Sequence, residues 1–173
     1  MIAGTFSYNA KVYRGHNPRW AYLPTSGEGA KRHGGRFNPK GVGALYTSVN
    51  LKTAWLEAQQ GFAYKTQPLT IVTYQVQCED LLDLTNPKIL KQFKITRDIL
   101  NCPWELMIDE GETPPTWELV NTLISKGVAG IRVPSFAFNA QQDDINIVFW
   151  DWSDQGPHQV LAIDDEDRLK LLT

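Results

Sequence analysis

A stretch rich in glycine and cationic side chains, RHGGRFNPKGVGALYTS over residues 32–48, holds the residue types that most clearly suggest chemistry. It contains four glycines and three Lys or Arg residues, and it turns apolar at 44–46. Arginine forks bind phosphate oxygens in bidentate fashion, and glycine lets the backbone approach an anion closely. The stretch therefore suggests an anion-binding loop, and a turn-rich connection with solvated charges is the alternative.

Two familiar phosphate-binding motifs do not match this stretch. No Gly-x-x-x-x-Gly-Lys-Ser/Thr occurs in it, which excludes a P-loop. A Gly-x-Gly-x-x-Gly pattern begins at Gly41, but Tyr46 stands where the third glycine should be. The stretch also precedes a predicted strand, whereas a Rossmann loop follows a strand and opens a helix. A dinucleotide-binding loop of that type is therefore not predicted.

Metal centres and nucleophilic triads have little support in the sequence. His16, His33 and His158 are far apart and have no His or Cys partner at ligand spacing, so no metal site is predicted. Cys78 and Cys102 have no activating base nearby in the sequence. No Ser-His-Asp arrangement is visible either.

Several short motifs follow one another in order along the chain. They are VYRG near the start, GGRFN and LYTS in the glycine-rich stretch, TAWLEA behind it, and VPS and INIVFW near the end. This ordered set, over about residues 10 to 150, resembles the RES-domain family, the toxins of bacterial RES-Xre toxin–antitoxin pairs. The resemblance implies an NAD+-consuming enzyme with an α+β fold, whose mixed or antiparallel sheet core is like that of ADP-ribosyltransferases.

The resemblance also implies which residues form the site. The catalytic arginine, tyrosine, glutamate and serine fall on Arg36, Tyr46, Glu57 and Ser135. The segment after Ser135 is longer and more acidic than expected, which leaves the role of Asn146 open. The implied contacts to NAD+ come from Arg14, Gly35, Arg36, Asn38, Tyr46 and Ser135.

These residue types suit cleavage of the bond between nicotinamide and ribose. The transition state is oxocarbenium-like, and the leaving group is already cationic, so no acid has to protonate it. Arg36 and Arg14 suit the pyrophosphate, although a structural salt bridge is the alternative for Arg14. Tyr46 offers a ring for stacking, and Glu57 could stabilise the developing positive charge or orient the acceptor. Ser135 could bond the nicotinamide amide or hold Arg36 or Glu57 in place.

The predicted function is that of a type II toxin that depletes cellular NAD+, with water or inorganic phosphate as the acceptor. A mono-ADP-ribosyltransferase that modifies a protein of the host cell from the same pocket is the alternative. An RNA-targeting toxin fits less well, because the chain has a net charge of −2 and no recognisable RNA-binding motif. The resemblance implies a cognate antitoxin with a helix-turn-helix DNA-binding domain as partner, NAD+ as substrate and no metal.

Composition and charge are consistent with this function. The 173 residues predict one domain over 1–173, and no apolar run approaches the roughly 18 residues that a membrane span needs. Two cysteines and no export signal predict a cytoplasmic protein. Residues 1–40 carry seven Lys or Arg and one acid, a net charge of +6. This basic quarter suits a small anionic ligand or an acidic segment of the antitoxin.

The elements that must position these residues follow from hydrophobic periodicity and turn signals. Asn50 is predicted to cap a helix from Leu51 to about Gly61, with Glu57 on the flank of an apolar stripe. That stripe consists of Leu51, Trp55, Ala58 and Phe62. Strands are predicted over 10–15, 44–48, 69–77, 128–133, 145–152 and 158–163. Further helices are predicted over 87–93, 96–101, 115–126 and 165–172. Asp164 is predicted to cap the last of these helices.

Overall fold

The computed structural model describes residues 3–59 and 67–170 of the chain. Within them the strands are β1 (Thr5–His16), β2 (Leu45–Ser48), β3 (Thr70–Asp83), β4 (Gly130–Pro134), β5 (Ile145–Phe149) and β6 (His158–Ala162). They form one sheet in the order β1-β2-β5-β4-β3-β6. All neighbours are antiparallel except β3 and β4, which are parallel. The predicted α+β class with a mixed sheet is confirmed.

An additional pairing between β1 and β3 closes the sheet on itself. The closed ring runs β1-β2-β5-β4-β3-β1, and β6 lies on the edge of β3 beside β4. β1 begins five residues before its predicted start, because residues 5–9 pair with 77–82 although their own pattern is largely polar. β3 alternates between buried and exposed residues, as its sequence predicts.

The helices are α1 (Glu28–His33), α2 (Leu51–Ala58), α3 (Pro87–Phe93), α4 (Arg97–Leu100), α5 (Trp104–Asp109) and α6 (Pro115–Ser125), with a 3₁₀ turn over Pro18–Trp20. The predicted cap of α2 is confirmed, because Asn50 Oδ1 accepts from Thr53 N at 2.8 Å. The 3₁₀ turn, α1 and α5 were not predicted, because such short helices show too little periodicity. The predicted end of α2 near residue 61 lies outside the described residues.

The predicted apolar stripe of α2 is wrong. Leu51 and Trp55 are 54% and 40% exposed, whereas Ala54 is buried. α2 packs on β1 through its small residues, so closely that a Cβ added to Gly15 would lie 2.7 Å from Ala58 Cβ. The close approach of two backbones therefore decides which face is buried. Position 62 of the stripe lies outside the described residues.

The predicted helix over 165–172 does not form in its described part, 165–170, which is a series of turns. The Asp164 carboxylate accepts from the N–H groups of Arg168 at 2.7 Å and Leu169 at 2.9 Å, so it caps a turn instead. Asp167 adopts a φ of 55°, and this left-handed backbone ends any helical run. Positions 171–172 lie outside the description.

Two apolar clusters hold the sheet in place. One is drawn mainly from the strands and includes Val12, Leu45, Val72, Tyr74, Val76, Ile147, Phe149 and Val160. The other joins the sheet to the helices and includes Leu82, Leu84, Ile95, Leu100, Val120, Leu123, Ile131 and Val148. In the parts of the chain that the structure describes, the helices are too short or too polar to cross a membrane.

Candidate active site

Two adjoining cavities form a cleft that shares a wall made by Tyr46, Glu57 and Asn146. The larger cavity measures about 340 Å³ and the smaller one about 190 Å³. The larger cavity is lined in addition by Gly29, Ala30, Gly34, Gly35, Arg36, Phe37, Trp104, Val133, Phe136 and Val148. The smaller cavity is lined in addition by Tyr13, Arg14, Gly15, Thr47, Ser48, Ala54 and Ala58.

The Glu57 carboxylate is held by two hydrogen bonds at this shared wall. Ser135 Oγ and Asn146 Nδ2 each donate to Glu57 Oε1 at 2.5 Å. Ser48 Oγ in turn donates to Asn146 Oδ1 at 2.7 Å, which fixes the orientation of the amide. Among the described residues no hydrogen bond reaches Glu57 Oε2, so this oxygen is available to a ligand.

Asp144 ties Ser135 to the helix that carries Glu57. Its carbonyl oxygen accepts from Ser135 N at 2.7 Å, and its carboxylate accepts from Thr53 Oγ1 at 2.5 Å and from Lys52 Nζ at 3.2 Å. Burial alone would raise the pKa of the Asp144 carboxyl, but the hydrogen bonds, chiefly from Gln141 N–H, outweigh it and lower that pKa.

Tyr46 joins the glycine-rich loop to the sheet through its hydroxyl. The hydroxyl donates to Asn38 Oδ1 at 2.7 Å and accepts from Phe37 N at 3.0 Å. Burial raises the pKa of this phenol, so the hydroxyl stays protonated. Asn38 is fully buried, and its Nδ2 donates to the carbonyls of Ala30 at 2.8 Å and Val42 at 2.9 Å. Asn38 therefore orients Tyr46 and the loop, and this geometry does not favour the direct NAD+ contact predicted for it.

Gly35 lies where a side chain would collide with this hydrogen-bond network. A Cβ at this position would lie 2.5 Å from the Tyr46 hydroxyl oxygen and 2.7 Å from Asn38 Oδ1. Trp117 Nε1 donates to the Gly35 carbonyl at 2.8 Å, which fixes the backbone from the other side. Glycine is therefore required at this position because the Tyr46 hydroxyl leaves no room for a side chain. Gly35 also lines the larger cavity.

Arg36 lines the larger cavity but is partly engaged by the protein. Its Nη1 donates to the carbonyls of Cys102 at 2.6 Å and Leu100 at 3.2 Å, where α4 ends. Its guanidinium carbon lies 4.8 Å from the centroid of the Phe136 ring, within cation–π range. Burial lowers the pKa of Arg36, although an arginine stays cationic in proteins. The guanidinium is thus fixed in direction, with part of its donors left for a ligand.

Arg14 is the less engaged of the two arginines. It lies on the same face of β1 as the buried Val12 and His16. Its Nη1 is buried and has no hydrogen-bond partner among the residues that the structure describes. Burial lowers the pKa of Arg14 from its ordinary value. The salt bridge considered for Arg14 is absent from the described part of the chain, and the smaller cavity, which Glu57 also lines, contains a buried arginine donor without a hydrogen-bond partner among those residues.

His16 belongs to the support of the site. Its Nε2 is 2.7 Å from the Tyr74 hydroxyl, which donates to the Pro24 carbonyl at 2.5 Å. Burial, together with the nearby Arg14, lowers the pKa of His16 to about 4, so the ring is neutral near pH 7. Among residues 3–59 and 67–170, no three His, Cys, Asp or Glu side chains are placed to hold a metal ion.

Comparison with known proteins agrees with this architecture. The RES domain profile matches residues 11–171, which is nearly the whole chain. The chain belongs to the RES domain family. Its fold is similar to that in the crystal structure of the M. tuberculosis MbcT-MbcA toxin-antitoxin complex, with 19% identity and a TM-score of 0.60 over 93% of this chain and 85% of that chain. No curated protein sequence matches the chain.

In this RES domain the structure brings together most of the residues that the sequence indicated. Glu57, Ser135 and Tyr46 meet at the cleft, with Arg36 in one cavity and Arg14 in the other. The role left open for Asn146, as a donor to Glu57, depends on the pairing of β5 with β2 and β4. Sequence reasoning missed the roles of Ser48, Trp104 and Phe136, although Ser48 ends the LYTS motif and Phe136 directly follows the VPS motif.

Proposed function

We propose that this RES-domain protein cleaves the nicotinamide–ribose bond of NAD+. The proposal depends chiefly on the Glu57 carboxylate, which Ser135 and Asn146 hold by one oxygen where the two cavities meet. A fixed carboxylate with a second oxygen free is suited to stabilise positive charge that develops on a ribose. The arginines in the two cavities add donors for the anionic parts of the substrates.

The larger cavity suits the nicotinamide end of NAD+. Its volume of about 340 Å³ falls in the range of small-molecule sites, roughly 300–1,000 Å³. Phe136 and Trp104 provide aromatic surface, and Tyr46 lies between this cavity and the smaller one. Stacking of the nicotinamide ring against these side chains excludes water from the reacting bond. Arg36, held by carbonyls, binds a phosphate oxygen with its remaining donors.

The bond breaks with its electron pair moving to the pyridinium nitrogen, so nicotinamide leaves as a neutral molecule. The ribose carbon becomes electron-deficient, and Glu57 opposes that charge at short range. Ser135 and Asn146 prevent the carboxylate from turning away. The acceptor, water or inorganic phosphate, then adds to the ribose carbon through an oxygen and releases its proton to solvent. A fixed donor geometry of this kind requires no reorganisation during the reaction.

As a protein in this family, it is proposed to act as the toxin of a toxin–antitoxin pair in the cytoplasm, where it depletes NAD+. The fold likeness to the MbcT-MbcA toxin-antitoxin complex supports this role. The proposed partner is an antitoxin with a helix-turn-helix domain. Lys31 and Arg32 lie on α1, whose neighbouring residues Gly29 and Ala30 line the larger cavity, so an acidic antitoxin segment bound there would cover its mouth.

The purified protein incubated with NAD+ tests the proposal. We expect release of nicotinamide, and a loss of about 100-fold or more in that rate for Glu57→Gln. Glu118→Gln, at an exposed position of α6, is the matched control and should keep the wild-type rate. Absence of nicotinamide release, or equal rates for wild type and Glu57→Gln, would overturn the proposal.

The identity of the reaction product shows which acceptor the protein uses. Free ADP-ribose indicates hydrolysis, and ADP-ribose-1″-phosphate indicates phosphorolysis. Label retained on a protein after incubation with labelled NAD+ indicates transfer by a mono-ADP-ribosyltransferase from the same pocket. Loss of cellular RNA while NAD+ stays intact would instead indicate an RNA-targeting toxin.

A further inference from the structure

Helix α2, which carries Glu57, has few apolar contacts that could fix its position along its own axis. The buried residues of this helix are Thr53 and Ala54. Its large apolar side chains are exposed or only half-buried, namely Leu51, Trp55 and Leu56. Against β1 it places Ala54 and Ala58 next to Gly15, and such small residues have no long side chains that interdigitate and resist sliding. Polar contacts must therefore set the depth of Glu57 in the cleft.

The Thr53 hydroxyl supplies such a contact. Its Oγ1 lies 2.5 Å from Asp144 Oδ1 and 2.8 Å from Asn50 Oδ1. A hydroxyl has one proton to donate, and an ionised carboxylate is the stronger acceptor, so this proton points to Asp144. The side chains of Thr53 and Asp144 are both fully buried. A buried, charge-assisted hydrogen bond therefore joins α2 to the segment that enters β5.

Asp144 is itself fixed on the side of Ser135. Its carbonyl accepts from Ser135 N at 2.7 Å, which continues the antiparallel pairing of β4 with β5 by one residue. Its Oδ2 accepts from Gln141 N at 2.7 Å and from the exposed Lys52, whose long side chain can follow movements of the helix. Because backbone groups hold Asp144 in place, it forms a fixed reference point for α2.

The contacts of Thr53 and of Glu57 with this segment have matching spacings. Thr53 and Glu57 are one helical turn apart, about 6 Å along the axis at about 1.5 Å per residue. Asp144 and Asn146 lie on the same side of an extended chain, about 6.8 Å apart at about 3.4 Å per residue. Thr53 contacts Asp144 while Glu57 contacts Asn146, so both hydrogen bonds are short in the same axial position of the helix.

We propose that Thr53 and Asp144 form a clamp that sets the axial position of α2, and that both act as positioning residues for Glu57 in the cleavage of NAD+. This inference rests on the proposed function. Arg14 lies on β1 and Arg36 follows α1, so neither arginine depends on α2 for its place. Release of the clamp should therefore impair the alignment of the carboxylate with the ribose carbon and leave substrate binding largely intact.

The kinetics of nicotinamide release separate positioning from substrate binding. Thr53→Val removes the hydroxyl and keeps the shape of the side chain, so kcat should fall by about tenfold or more while KM for NAD+ stays within about threefold. Thr53→Ser keeps the donor and should remain within about twofold of the wild-type kcat. Thr122→Val is the matched control, because the exposed Thr122 hydroxyl donates to the Glu118 carbonyl within α6.

A second measurement is independent of turnover. Asn146 Nδ2 donates to Glu57 Oε1, so its two protons should differ in chemical shift in a ¹H–¹⁵N spectrum of the protein without NAD+. Their signals are assigned by their absence in Asn146→Asp. Thr53→Val should bring the two proton shifts closer together, in the same direction as Glu57→Gln, which removes the charged acceptor. Thr122→Val should leave both shifts unchanged.

Thermal unfolding verifies that each variant is folded at the assay temperature. If Thr53→Val does not fold, Thr53→Ala removes the same hydroxyl and takes its place in both measurements. An unchanged kcat overturns the inference, as does a lower kcat with unchanged Asn146 signals or a KM that rises more than kcat falls. If the wild type releases no nicotinamide, the proposed function fails, and the Asn146 signals alone decide whether the clamp positions Glu57.

Discussion

Ser135 Oγ donates to Glu57 Oε1 at 2.5 Å, although 78 positions separate the two residues in the chain. The bond joins the loop after β4 to helix α2, and its acceptor oxygen also receives the Asn146 amide. Ala137 N donates to the same Ser135 Oγ at 3.2 Å, so the hydroxyl is itself held in place. A carboxylate fixed by such donors keeps one orientation, which a charge-stabilising group in a reaction requires.

Ser135→Ala should lower kcat for nicotinamide release by about 10- to 100-fold and leave KM for NAD+ within about threefold. The Glu57 carboxylate loses one of its two donors, so its orientation at the ribose becomes less defined. Ser125→Ala, which removes a hydroxyl bonded to the Thr122 carbonyl on the exposed end of α6, is the control. Steady-state kinetics of both variants measure the effect, and an unchanged kcat in Ser135→Ala would show that Ser135 does not position Glu57.

Gly35→Ala should abolish most of the activity, because a Cβ would lie 2.5 Å from the Tyr46 hydroxyl oxygen and 2.7 Å from Asn38 Oδ1. One of these groups must move, and with it the wall of both cavities. At Gly43 the nearest atom to an added Cβ is 3.8 Å away, so Gly43→Ala is the matched control and should behave like the wild type. Equal nicotinamide release by both variants would contradict the close-packing role of Gly35.

The chain order of the motifs predicted which residues meet at the cleft. It did not predict which of their hydrogen-bonding groups the protein itself already engages. The sequence leaves Arg14 open between a pyrophosphate ligand and a structural salt bridge, and it offers no such alternative for Arg36. The structure reverses their availability, since carbonyls at the end of α4 engage Arg36 while Arg14 Nη1 lacks a partner among the described residues. Every residue has a backbone carbonyl, so the residue types do not indicate which carbonyls accept hydrogen bonds from Arg36.

The buried face of α2 also could not be predicted from the sequence pattern of the helix alone. A hydrophobic stripe predicts burial of Leu51 and Trp55, yet the helix buries Ala54 because Gly15 lets it approach β1 closely. The contact depends on a glycine in another element, about forty residues away, and helical periodicity contains no information about it. The strand alternation of β3 was predictable, because its two faces differ along the strand itself.

Replacing Lys31, Arg32 and Lys40 together by Ala should weaken the complex with the cognate antitoxin at least tenfold. The three cations belong to the basic first quarter of the chain, next to the larger cavity, and an acidic segment would lose their attraction. The matched control removes three exposed cations elsewhere, Lys88, Lys91 and Lys94 on and after α3. Binding measured at two salt concentrations checks the electrostatic origin, and unchanged affinity in the first variant contradicts it.

Asp144→Asn should destabilise the protein near neutral pH, and the effect should disappear in acid. The Asp144 side chain is buried and accepts from Thr53 Oγ1 at 2.5 Å and from Gln141 N at 2.7 Å, while Lys52 is the cation that faces it. An amide in its place can accept with one atom only, so we expect a loss of about 1–3 kcal/mol in the free energy of unfolding.

The sign of the pH dependence follows from the lowered pKa of Asp144. A carboxyl whose pKa is lower in the folded state stabilises the fold above its unfolded pKa of about 3.9, and this contribution is lost as the pH falls through the folded value. Urea unfolding from pH 7 down to about pH 3 should show the difference between wild type and Asp144→Asn shrinking below about pH 4. Asp143→Asn, at the exposed neighbouring position, should stay within about 0.5 kcal/mol of the wild type throughout. A difference between wild type and Asp144→Asn that stays constant down to pH 3 would contradict the proposed role of the ionised carboxylate.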